Sequence, residues 1–94
     1  MSENEFYKNE TIIKAIFSHS IIKIEGIKNI IVIKTISGAA SSVGLVIDKM
    51  KLADCLGCVA GDDVVLVVIK DKTRLNYVIN DLNKFKEASQ IEKY

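Results

Sequence analysis

No proline interrupts the 94-residue chain, aromatic residues make up only 6% of it, and it holds just two cysteines and one histidine. Two cysteines cannot staple a miniprotein, and a chain without proline is neither collagenous nor a proline-rich tail. No apolar run approaches the roughly 18 residues that a membrane-spanning helix needs. Neither sign of charge dominates, since thirteen Lys and Arg stand against twelve Asp and Glu, a formal charge of +1. Without a basic stripe in the sequence, strong binding of nucleic acid by this chain alone is not expected. There is also no glycine loop followed by Lys-Ser/Thr to cradle a phosphate and no Gly-x-Ser-x-Gly elbow. With His19 as the single histidine and no nucleophile–base pairing in view, an enzyme is disfavoured.

What the chain does have is aliphatic side chains. Hydrophobic residues reach 49% against 27% charged, which excludes a disordered segment. One small domain of this length hides only about 60–68% of its unfolded surface, so part of the apolar area is expected outside the monomer's own core. The expectation is therefore an oligomer. The acidic, polar start Met1-Ser2-Glu3-Asn4-Glu5 is unlike a secretory signal, and with two cysteines it points to a reducing cytoplasm.

Residues 1–8 read as a flexible lead-in or linker stub, 9–86 as the folded domain and 87–94 as a polar tail. Asn9 is placed to cap a helix whose apolar positions Ile12, Ile13, Ile16 and Phe17 share one side. Ser18 to Glu25 reads as a strand, Gly26 to Asn29 as a turn, and Ile30 to Ile36 as a second, antiparallel strand. From Ser37 the pattern changes to a helix ending near Lys51, with Val43, Val46, Ile47 and Met50 at the spacing of a core stripe. Leu56 to Ala60 is a short strand and Gly61-Asp62 a reversal. Val64 to Ile69 is a strand apolar on both faces, expected to be covered on both. Asp71 caps a last helix with Leu75, Val78, Ile79, Leu82 and Phe85 facing inward. The order α-β-β-α-β-β-α predicts an α+β two-layer sandwich, a four-stranded antiparallel sheet with helices packed on it.

Two places stand out chemically. On the central helix, Ser41, Gly44, Leu45, Asp48 and Leu52 lie opposite the core stripe, a face short of the Lys and Glu that solvent normally draws. Glycine in mid-helix costs about 1 kcal/mol against alanine, so a close approach is expected there, with a subunit contact beside Asp48 as the sharper reading and a sparsely charged solvated face as the plain one. The second place is Gly61-Asp62-Asp63, where a turn sets two carboxylates close together. Gly-Asp at a hairpin is ordinary turn chemistry, but a pair of carboxylates repels, and a bidentate guanidinium or an ammonium relieves the repulsion. Magnesium or calcium would need more oxygen ligands than this stretch offers. Cys55-Leu56-Gly57-Cys58 has C-x-x-C spacing, yet zinc would need two further ligands and only His19 is at hand, so two buried, unlinked thiols are expected.

Three blocks carry a resemblance: Ile31-Val32-Ile33-Lys34-Thr35-Ile36-Ser37-Gly38-Ala39-Ala40, then Val46-Ile47-Asp48, then Leu56-Gly57-Cys58-Val59-Ala60-Gly61-Asp62-Asp63. From about Tyr7 to Phe85 the chain resembles the C-terminal domain of the bacterial arginine repressor family, with the spacing between blocks kept. The resemblance implies trimers that stack face to face into hexamers, with L-arginine as corepressor bound between them and no other cofactor. It places ligand contacts at Asp62, Asp63 and Asp48, with Cys58, Ala60 and Ser41 at the main-chain end of the amino acid. Operator DNA would be read by a winged helix-turn-helix that this chain does not contain.

The departures from the family pattern cluster. Ser37 stands where proline is usual, Ser41 where a ligand-contacting glutamine is usual, and Cys58 and Val64 where threonines are usual. Each hydrogen bond lost to a charged ligand group weakens binding by about 1.5–3 kcal/mol unless water or backbone substitutes. The sequence therefore also supports a trimerisation module that no longer answers to a ligand, or a stand-alone paralogue that modulates a full-length repressor.

Overall fold

The computed structural model describes the backbone of residues 10–91 and the side chains of residues 15–87. Helix α1 (Glu10–Ser20) runs straight into strand β1 (Ile21–Ile27), which pairs with β2 (Ile30–Thr35). Helix α2 (Ala40–Met50) crosses to β3 (Cys55–Ala60), β4 (Val64–Ile69) returns beside it, and a 3-10 turn at Lys72–Arg74 leads into α3 (Leu75–Ile91). The sheet order is β1-β2-β4-β3 and every pairing is antiparallel. The expected α+β sandwich with order α-β-β-α-β-β-α is what forms. None of the described helices is long and apolar enough to cross a membrane.

Burial explains the layering. Residues on a strand alternate between faces, and Ile31, Ile33 and Thr35 of β2 face the helices beside Val65, Val67 and Ile69 of β4. Against them lie Phe17 of α1, Val43, Val46 and Ile47 of α2, and Val78 and Leu82 of α3. The rings of Phe17 and Phe85 meet edge to face at 5.1 Å, which ties α1 to α3. The core stripe expected on α2 is present, with Met50 half-buried at its end.

Several boundaries differ from the sequence reading. Ser18, His19 and Ser20 belong to α1, not to a strand. Ser18 and Ser20 are buried there, and the Ser20 carbonyl, left over at the helix end, accepts the Ile36 N–H at 2.9 Å. Small side chains let the helix end pack closely, a gain that local β propensity cannot register. His19 sits exposed in the last helical turn, where a cation is favoured by the helix dipole. Gly26 and Ile27 extend β1, leaving only Lys28 and Asn29 as the turn, with Lys28 at a φ of 55°. Asp71 caps the 3-10 turn through the Thr73 N–H at 2.9 Å, one step before the helix it was expected to cap. Helix α3 continues to Ile91, into the stretch read as tail. The lead-in, Asn9 as a cap, the side chains of Ile12 and Ile13, and residues 92–94 lie outside what is described.

The largest correction concerns β4. Its outer face is not covered by the described residues, because the three described helices pack on one side of the sheet. Leu66 is 41% exposed, with Val59 of β3 directly opposite at 68% and Ile27 of β1 at 63%. Val32 and Val68 stand between them, half-buried.

Gly26 shows how closely α3 rests on the inner face. A Cβ there would lie 2.7 Å from Ile79 Cδ1 and 2.9 Å from Leu75 Cδ2. Gly26→Val raises strand propensity but forces the ends of the Ile79 and Leu75 side chains aside, so it is expected to lower unfolding stability by about 1 kcal/mol in urea titration. A stability gain would show that α3 does not depend on this approach.

Candidate functional site

The β3–β4 connection is three residues long, Gly61, Asp62 and Asp63, closed by the Gly61 N–H donating to the Val64 carbonyl at 2.8 Å. Its backbone is held by the end of β2 and the start of α2, which lie beside it. The Thr35 N–H donates to the Asp63 carbonyl at 2.8 Å, and the Ala40 N–H donates to the Asp62 carbonyl at 3.2 Å. The second bond satisfies one of the orphan N–H groups at the start of α2, a helix whose N-cap, Ala39, has no side chain able to cap it. The tip bearing the aspartates is thus built into the junction of β2 and α2.

The two carboxylates do not share a partner. Ser37 Oγ donates to Asp62 Oδ2 at 3.2 Å, and Lys34 Nζ reaches Asp63 Oδ2 at 3.4 Å. Both aspartates stay exposed. The repulsion expected at the turn is partly relieved within the chain, though an ion pair with side chains about half exposed contributes little net stability. Lys34 and Ser37 are neighbours of the two aspartates that the sequence reading did not assign to the site. For Lys34 a signal existed: in the β2–β4 register it lies opposite Val64, the residue after Asp63.

Asp48 and Cys58 form a second group. The Cys58 thiol lies 3.4 Å from Asp48 Oδ1 and 3.6 Å from the Gly44 carbonyl, and it donates to these acceptors. Burial pushes the Cys58 thiol up to about 11, reinforced by the hydrogen bond to Asp48 and by its negative charge. Burial raises Cys55 as well. Both cysteines are free and half-buried rather than fully buried. A protonated Cys58 is thus a fixed donor that orients the Asp48 carboxylate.

The face of α2 opposite the core stripe is also explained differently. Gly44 is buried against this chain's own β3, where a Cβ would lie 3.4 Å from Ala60 Cβ and 3.8 Å from Cys58 Sγ. The approach expected at Gly44 is therefore intramolecular. Leu52 packs against the core, while Ser41, Leu45 and Asp48 are exposed. A cleft of about 180 Å³ beside Asp48 is lined by Lys51, Cys55 and Leu56 among others, and it takes in neither Asp62 nor Asp63. The six residues expected at the site therefore fall into two parts: Asp48 with Cys58 under α2, and Asp62 with Asp63 at the hairpin tip. Ala60 is exposed between them at the end of β3, and Ser41 makes no side-chain hydrogen bond with the described residues. Among the described residues no three His, Cys, Asp or Glu side chains gather as metal ligands.

The domain model described as "Arginine repressor, C-terminal domain" matches residues 17–84, a span holding the whole sheet, α2 and every candidate site residue. The chain belongs to the arginine repressor family. It is similar to the arginine repressor of Clostridium novyi (strain NT), 30% identical over 97 residues that cover 93% of this chain and 64% of that protein. To the arginine repressor of Clostridium kluyveri it is 32% identical over 94 residues, covering 89% and 63%. A shorter match, 38% identical over 63 residues, joins 67% of this chain to 42% of the arginine repressor of Alkaliphilus metalliredigens. The chain spans a little under two thirds of the length of the two clostridial relatives.

The Cys58 environment is open to a chemical check. Alkylation consumes the thiolate, so with its pKa pushed up to about 11, Cys58 is expected to react at pH 8 at least about tenfold more slowly than an ordinary thiol, the smaller thiolate fraction being partly offset by a more nucleophilic thiolate. Peptide-resolved iodoacetamide kinetics measure this, and Asp48→Asn is expected to speed the reaction. Equal rates for Cys58 and a free thiol would mean that the thiol is neither withdrawn from solvent nor held against Asp48.

Proposed function

We propose that the chain is the effector-binding and oligomerisation domain of an arginine-responsive transcriptional regulator, a regulator of arginine metabolism rather than an enzyme. The observation that carries this reading is a rigid hairpin tip presenting two exposed carboxylates in a chain of the arginine repressor family. In this reading three copies associate, two trimers stack, and L-arginine binds between them. Its guanidinium meets Asp62 and Asp63, and its α-amino end lies toward Asp48, Cys58, Ala60 and Ser41. The open apolar face around Leu66 and Val59 supports self-association, because a patch left exposed on a small domain is stabilised by a partner that covers it.

The mechanism is one of linkage. Carboxylates from facing trimers repel, the guanidinium and α-ammonium groups of arginine placed among them lower that repulsion, and a ligand that binds the assembled form more tightly drives assembly by mass action. A winged helix-turn-helix outside this chain supplies operator contact, and the assembly fixes how copies of it are presented.

One second reading has an observation in its favour. Ser37 and Lys34 already engage Asp62 and Asp63, and Ser41 is short and unengaged, an arrangement that also suits a trimerisation module indifferent to arginine. Calorimetry with arginine, lysine and citrulline, alongside light scattering for mass, separates the two. Arginine is expected to release heat and raise the mass, while citrulline, which has no charge on its side chain, does neither. Asp62→Ala and Asp63→Ala are each expected to weaken arginine binding by about 1.5–3 kcal/mol, the range for a hydrogen bond to a charged group. Equal heats from arginine and citrulline, or a mass indifferent to both, would favour the second reading.

A further inference from the structure

At the end of β2 away from Asp62 and Asp63, a groove of about 520 Å³ lies between the β1–β2 turn and the segment leaving β4. It is lined by Lys28, Asn29, Lys70, Asp71 and Lys72. The lysines come from distant parts of the sequence, and the frame that gathers them is tightly bonded. The Ile69 N–H donates to the Asn29 carbonyl at 2.8 Å, Asn29 Nδ2 donates to the Ile69 carbonyl at 3.3 Å, and the Lys70 N–H donates to the Asp54 carbonyl at 2.8 Å.

The charge of this groove is unbalanced. Lys23, Lys34 and Arg74 each form an ion pair with a carboxylate, whereas Lys28 and Lys70 form none among the described residues and Lys72 has only the adjacent Asp71. The one carboxylate in the lining, Asp71, is already committed to the Thr73 N–H at 2.9 Å. That bond, with Arg74 and Lys72 nearby, holds its carboxyl below the usual range. Three exposed ammonium groups around an open groove suit an anion that stays at the surface and repeats along its length. Lysine meets such a ligand as a point charge and sets no planar geometry, so the contact would be indifferent to sequence.

We propose that the Lys28–Lys70–Lys72 groove seats phosphates of a nucleic-acid backbone, a sequence-independent contact additional to any made outside this chain. The choice of nucleic acid among phosphate-bearing ligands rests on the reading of the chain as part of a transcriptional regulator; the groove and its charge do not.

The test is fluorescence anisotropy of the 94-residue chain with a labelled duplex of arbitrary sequence at several salt concentrations. The triple variant Lys28→Gln, Lys70→Gln, Lys72→Gln is expected to bind at least about tenfold more weakly at low salt. Its log–log salt slope should be shallower by about 2–3, since each phosphate contact contributes about 0.9. A charge-matched control, Lys23→Gln, Lys84→Gln, Lys86→Gln, is expected to keep binding within about twofold, because those lysines are outside the groove. Equal losses in the two triples would reduce the effect to net charge and overturn the proposal. So would displacement of the duplex by inorganic phosphate beyond that by sulfate at matched ionic strength, which would assign the groove to a small phosphate ligand. Arginine calorimetry on the same variants keeps the two readings apart. An arginine response retained by the groove variant with its duplex binding lost supports both, and an unresponsive parent chain that still binds the duplex overturns only the effector reading.

Discussion

A four-stranded sheet has two faces, and the described helices of this chain cover one of them. The side chains of Ile31, Ile33, Val65, Val67 and Ile69 are sealed beneath Phe17, Val43, Ile47 and Leu82, while the alternate residues of the same strands point away from the described helices. Burial on the covered face is the main source of stability in so small a domain. It sets the register of β2 against β4, since a one-residue slip would carry the sealed side chains to the open face. Everything placed at the ends of the sheet inherits its position from that register.

The two ends are chemically different. At one, main-chain bonds from Thr35 and Ala40 hold the Asp62–Asp63 tip to the junction of β2 and α2. A hairpin tip would ordinarily be among the more mobile parts of a fold, but here a helix start and a strand end both lean on it. At the other end, the turn at Lys28 and the exit from β4 are bonded to each other and gather lysines. A domain near neutrality in total is therefore divided along its strands, with an acidic tip at one end and a basic groove at the other. Net charge says nothing about this, because it averages over the length of the strands.

Asp48 and Cys58 show the same dependence on packing at smaller scale. A cysteine in a strand and an aspartate in a helix become one unit because α2 lies across β3, and the burial that draws them together also keeps the thiol protonated. In the proposed function this supports a carboxylate oriented before any ligand arrives, which reduces the ordering cost of binding.

The order of elements, the stripe Val43, Val46 and Ile47 on α2 and the three blocks that mark the family were all readable along the chain, because each depends on neighbours a few residues apart. The alternation of burial inside β4 was not, because its side chains are apolar on both faces. The end of α1 at Ser20, the place of Gly26 inside β1 and the strand that covers Gly44 were not, because what decides them is a contact from far along the sequence: the Ile36 N–H, the side chains of α3, the inner face of β3. Lys34 and Ser37 beside the aspartates, and the meeting of Lys28 with Lys70 and Lys72, belong to the same class. Local pattern fixes which residues are helix, strand and core. Only the antiparallel pairing of β2 with β4 decides which charges become neighbours, because pairing brings together residues that no local interaction relates.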